Sequence, residues 1–163
     1  MKIKLSREQE LTCLVAAIED YIREGYEPDH ESRHQRDLTF FEFISQTASA
    51  FCAEMAVAQA TGVAYKPGNN RGKHRPDVEP NIEVKHSENS ASGLWIQQSD
   101  RPDWIGVLVT GKPPVMRLVG WIPIAMAKRP RYFNAKQNNW NVTQPNLQPM
   151  ENYKRSQYGE VAI

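Results

Sequence analysis

Residues 104–110 read Trp-Ile-Gly-Val-Leu-Val-Thr, apolar almost without a break. A strand with one wet face alternates apolar and polar residues, whereas a strand covered on both faces does not. This segment therefore belongs in the middle of a sheet. Gly111 to Pro114 supply a turn, and Val115–Ile122 follow as an apolar hairpin partner. Leu94–Gln98, Ile82–Lys85 with Asp77-Val78, and a short Val63–Tyr65 read as further strands. Pro80-Asn81 interrupts the Asp77–Lys85 segment, which is either one bent strand or a hairpin.

Helical spacing governs the first third of the chain. Ser6 is placed to cap a helix reaching about Arg23, with Glu8 and Glu10 in the favourable first turns. Leu11, Leu14, Val15, Ile18, Tyr21 and Ile22 define its apolar face, and Gly25 stops it. Residues 26–37 are polar and form a loop. A second helix runs from about Leu38 to Ala60 and stops at Gly62, with Phe41, Ile44, Ala48, Phe51, Met55 and Ala58 on its buried side. Ile124 to Lys128 form a short helix. The expected fold class is α/β, a mixed central sheet of about five strands flanked by helices.

At 163 residues the chain is expected to be a single domain: an N-terminal helix and loop over 1–37, a core over 38–128 and a tail over 129–163. The tail is rich in Asn and Gln and is punctuated by Tyr132, Phe133, Trp140 and Tyr153. Little regular structure is expected there. Its aromatics need a surface to pack on, either the core or a partner subunit, or they stack on single-stranded bases. A net charge of +1 argues against a passive, strongly basic nucleic-acid binder. Cys13 and Cys52 sit on helices with no metal-ligand spacing, and His30, His34, His74 and His86 make no zinc pattern. The start of the chain has no signal-peptide core, and no apolar run reaches transmembrane length. A reduced, cytoplasmic protein without a membrane partner is expected.

The chemistry concentrates in residues 76–85, Pro-Asp-Val-Glu-Pro-Asn-Ile-Glu-Val-Lys. On a strand Glu83 and Lys85 project to one face while Ile82 and Val84 face a core. A carboxylate beside an ammonium, with Asp77 close by, suits a hard divalent cation, which takes oxygen ligands. Asp77 after Pro76, followed by Glu83-Val84-Lys85, resembles the PD-(D/E)XK signature of the restriction-endonuclease-like nucleases. The likeness covers roughly residues 40–125, and Glu54 stands where many members carry an additional helix acid.

The resemblance implies a restriction-endonuclease-like core and divalent-metal-dependent hydrolysis of phosphodiester bonds. Asp77, Glu83 and the Val84 carbonyl would hold Mg²⁺ or Mn²⁺. Glu54 would hold a second metal or a metal-bound water. Lys85 would orient the attacking water and stabilise developing charge. Gln97 or Gln98, depending on register, would meet the scissile phosphate. Two basic clusters would track nucleic acid: Arg71, Lys73, His74 and Arg75, and Lys128, Arg129 and Arg131. The expected partners are nucleic acid, DNA before RNA, and further copies of the chain in a homodimer or higher oligomer. The competing reading is a non-catalytic nucleic-acid binder, or an accessory subunit of a phage, recombination or repair complex that keeps the nuclease fold.

Overall fold

A computed structural model describes residues 1–24, 38–69 and 75–155. The segment Ile105–Lys112 (β4) is the inner strand anticipated, buried throughout from Ile105 to Thr110. It pairs antiparallel with Val115–Pro123 (β5) and parallel with Ile82–Ser87 (β2). Lys2–Lys4 (β1) adds to the far side of β5, giving a four-stranded mixed sheet of order β1-β5-β4-β2. Strand β1 was not foreseen, because three residues reading Lys-Ile-Lys carry almost no apolar signal.

The sheet is covered differently on its two faces. Phe40–Thr61 (α2) lies on the face that carries Ile82, Val107, Val109, Met116 and Leu118. A capping box fixes its start: the Glu42 amide bonds the Thr39 hydroxyl, and the Glu42 carboxylate accepts from the Thr39 amide. The opposite face, with Leu108, Ile122 and Ile124, is covered by a second, three-stranded sheet. That sheet is Leu94–Ile96 (β3), Asn139–Val142 (β7) and Phe133–Asn134 (β6), in the order β3-β7-β6.

The central sheet therefore has four strands rather than about five. Residues 94–96 were expected in it, yet they bond a segment some 45 residues downstream, with Leu94 opposite Val142 and Ile96 opposite Trp140. Residues 63–66 join no strand. The tail is more regular than expected: besides β6 and β7 it forms 3₁₀ turns at Pro130–Tyr132, Gln144–Asn146 and Met150–Arg155. Tyr153 packs edge-on against Trp121, and Trp121 and Gln148 exchange two backbone hydrogen bonds. Gly120 permits this contact, since a Cβ there would lie 2.5 Å from the Gln148 carbonyl oxygen. Gly106 does the same for the small sheet, whose Leu94 and Ile96 side chains would stand 3.2 and 3.1 Å from a Cβ. Ile124–Ala127 (α3) follows β5 directly.

Helix α1 (Arg7–Glu24) begins as expected. The Gln9 amide bonds the Ser6 hydroxyl, and the Ser6 amide bonds the Gln9 side chain. Its orientation departs from the sequence reading. Cys13, Ala17 and Asp20 form the buried face against α2, whereas Leu11, Leu14, Val15, Ile18 and Ile22 are 39–72% exposed. Small side chains let the two helix backbones approach closely, and Cys13 contacts Cys52 across that gap. Among the described residues no helix is long and apolar enough to cross a membrane.

Candidate functional site

Strand β2 is the outer strand of the main sheet, and its alternation sets the site. Ile82 and Val84 join the core beneath α2. Glu83 and Lys85 lie opposite Gly106 and Leu108 and so share the other face. The segment before β2 is a tight turn. Val78 and Ile82 exchange backbone hydrogen bonds of 3.0 and 2.9 Å, which folds Asp77 back on the strand. The Val84 amide then donates to Asp77 Oδ2 at 2.8 Å. That amide points away from β4, and the Val84 carbonyl, on the same residue of an outer strand, points the same way.

Lys85 is held between two carboxylates. Its Nζ is 2.7 Å from Glu83 Oε1 and 3.2 Å from the Asp100 carboxylate. Burial pulls the Lys85 ammonium down, but Glu83 and Asp100 outweigh it and keep its pKa above the ordinary lysine value. Asp77 is pushed from 3.8 up to about 7, first by burial and then by the Glu83 charge, against the opposing pull of the Val84 amide and Lys85.

Asp100 is the member of this cluster that sequence reasoning missed. It is buried, and its Oδ2 accepts the Gln97 amide at 2.8 Å, closing the turn between β3 and β4. The signal lay in topology rather than in any motif. Parallel pairing sets Ile82 beside Ile105, so the loop entering β4 must reach the start of β2. Lys128 braces the same turn: its Nζ donates to the carbonyls of Asp100 and Gln98 at 2.5 and 3.0 Å and lies over the Trp140 ring. Burial lowers the Lys128 pKa, and Asp100 partly offsets this.

The other expected residues fall into place unevenly. Glu54 projects from α2, which packs on the opposite face of the sheet from Glu83 and Lys85, and it accepts the Tyr65 hydroxyl. Burial and then the Glu54 charge hold the Tyr65 phenol well above its ordinary range, with Asp77 a smaller contributor. Gln97 meets the site through its backbone, while the Gln98 side chain turns to Asn138 at 3.1 Å. Arg129 donates to Met126 Sδ, and Arg131 covers the neighbouring Tyr132 ring. Arg75 is exposed, just before Asp77. Arg71, Lys73 and His74 lie outside the described residues.

Among the described residues no group of three or more His, Cys, Asp and Glu side chains stands together as a metal cluster. A cation here would rest on Asp77 and Glu83 with the Val84 carbonyl, the kind of sparse carboxylate set that Mg²⁺ accepts together with water and phosphate. The raised Asp77 pKa fits that use, since a dication would relieve the repulsion that raises it. Comparison with family models, with curated proteins and with solved structures finds no match to this chain.

Proposed function

We propose that this chain is a divalent-metal-dependent nuclease that hydrolyses phosphodiester bonds, in DNA before RNA, on a restriction-endonuclease-like core of the PD-(D/E)XK type. The observation that carries the reading is the Asp77–Glu83–Lys85 constellation. A half-buried carboxyl raised to about 7 stands beside a second carboxylate, which lies 2.7 Å from a charged lysine. A merely solvated Glu-x-Lys pair would have no such half-buried, strongly shifted carboxyl beside it.

Asp77 and Glu83 would hold Mg²⁺ or Mn²⁺, with the Val84 carbonyl completing the protein's share. When bound, the metal supplies Lewis-acid polarisation of the phosphate and lowers the pKa of water. Lys85 stays protonated between Glu83 and Asp100, so it acts as a fixed positive charge, orienting a water oxygen and steadying the phosphorane-like oxygens. Glu54 would act from further out, through Tyr65 or a second metal-bound water. Arg75, at the edge of the site, would draw a phosphate toward carboxylates that otherwise repel it.

The sparse ligand set favours one second reading, a nucleic-acid-binding or accessory subunit that keeps the fold without turnover. A cleavage panel of duplex, single-stranded and branched DNA and RNA, with Mg²⁺ or Mn²⁺, tests both. Turnover that disappears in Asp77→Ala and Glu83→Ala supports the nuclease. Nucleic-acid binding without turnover or measurable Mn²⁺ affinity supports the accessory role.

A further inference from the structure

Helix α1 is apolar on both sides. At about 100° per residue, Leu11, Val15, Ile18 and Ile22 fall on a line roughly 160° from the buried Cys13–Ala17–Asp20 line, with Leu14 beside them. Beyond its C-terminal end the apolar surface continues through Tyr21 to Phe40 and Phe41, with ring centroids 5.0 and 5.6 Å apart, and Phe41 is 82% exposed. A contiguous patch of this extent marks an interaction site.

We infer that this face pairs with the same face of a second copy of the chain, the two α1 helices running antiparallel about a two-fold axis. Two observations select that occupant. The stripe Leu11, Val15, Ile18, Ile22 has spacings of four, three and four residues, which read the same in both directions. An antiparallel copy therefore sets Leu11 against the partner's Ile22 and Val15 against the partner's Ile18, the self-complementarity that a two-fold interface requires. These are also the spacings that interdigitate in a two-helix seam.

The charges agree with the direction. Antiparallel packing sets Glu10 level with the partner's Arg23, which within its own chain pairs with Asp20 at 2.6 Å. The inference rests on α1 with the neighbouring Phe40 and Phe41 and does not depend on the nuclease reading.

Sedimentation velocity of the full chain across micromolar concentrations is the test. Wild type is expected to dimerise reversibly. Val15→Lys and Ile18→Glu are each expected to be folded monomers by circular dichroism, because these side chains are exposed in one copy; dissociation should rise by roughly 100-fold or more. Mixing the two variants should restore a heterodimer, since lysine at 15 would face glutamate at 18 of the other chain while the second Val15–Ile18 contact stays native. A strictly monomeric wild type overturns the inference, whether or not the face binds some other protein. A dimer that survives both substitutions, or variants whose mixture stays monomeric, also overturns it.

Discussion

Asp77→Asn isolates the electrostatic strain at the heart of the site. The Asp77 carboxyl titrates at about 7 in the folded chain against 3.8 as a free group, chiefly because it is buried and secondly because Glu83 repels its charge. Between those two values the folded state binds a proton that the unfolded state has released, so stability without metal falls as pH rises through this range. Integrated from about pH 5 to pH 8, a shift of this size is worth at most about 2.6 kcal/mol at 1.36 kcal/mol per unit. Residual solvent contact at Asp77 lowers the expected loss to about 1–2 kcal/mol. Asparagine keeps an oxygen to accept the Val84 amide and carries no charge, so the variant should lose this slope. At about pH 8 in chelator it should be the more stable protein, by roughly 3–8 °C in Tm for a chain of this size. Added Mg²⁺ should stabilise wild type and leave the variant unmoved. Thermal or urea melts at the two pH values, with and without metal, read all of this. Wild-type stability that stays level or climbs from pH 5 to pH 8 in parallel with Asp77→Asn would refute the buried, carboxylate-facing placement of Asp77. A normal pH slope with no response to Mg²⁺ or Mn²⁺ would keep the geometry and sink the metal.

Other expectations follow from the same contacts. Lys85→Ala should lower kcat by roughly 10²–10³-fold with Mn²⁺ affinity retained in calorimetry, whereas lost substrate affinity at unchanged turnover would make Lys85 a phosphate binder instead. Asp100→Asn keeps an acceptor for the Gln97 amide but removes one charge from Lys85, so the alkaline limb of the pH–rate profile should move to lower pH; an unmoved limb would give Asp100 a structural role only. Gly120→Ala places a Cβ 2.5 Å from the Gln148 carbonyl oxygen and 2.9 Å from Leu147 Cβ. It should cost about 1–3 kcal/mol in denaturant melts, and an unchanged midpoint would mean that the tail does not dock there.

What the sequence made legible divides along physical lines. The β4–β5 hairpin was legible because a strand buried on both faces leaves a continuous apolar run joined by a turn. The start of α1 was legible because the Ser6 cap acts within one turn, whereas the Thr39–Glu42 box that starts α2 was not read and that helix was placed only from about Leu38. The facing of Glu83 and Lys85 followed from strand alternation alone. Partner choice across long separations was not legible. Nothing in Leu94–Ile96 says that it pairs with Asn139–Val142 rather than with the main sheet, and nothing local says that Asp100 returns to Lys85. Glu54 was placed by its position on a helix before the motif, but the packing of α2 on the Ile82–Val84 face ties it to Tyr65. Helix α1 exposed the weak point of periodicity. The pattern identifies an apolar stripe, but not whether the stripe or the small-residue face opposite is the one that packs.

The charge balance around Lys85 explains why one lysine can serve this site without acting as a base. Glu83 and Asp100 both contact its ammonium and raise its pKa, so near neutral pH it has no lone pair to accept a proton from water. Its contribution must be electrostatic. Lys128, the other nearby ammonium, is committed to two backbone carbonyls and fixes the Asp100 turn. Asp77, Glu83 and Asp100 thus outnumber the one lysine among them, and the site repels a phosphate diester unless further positive charge enters. Burial first and the Glu83 charge second raise the Asp77 pKa, and the excess of carboxylates would make a dication the natural complement. On this reasoning the site would be anionic by design, competent toward an anionic substrate only while a metal offsets Asp77 and Glu83. Lys85, bonded to Glu83 at 2.7 Å and to Asp100 at 3.2 Å, would keep its third N–H for the incoming phosphate.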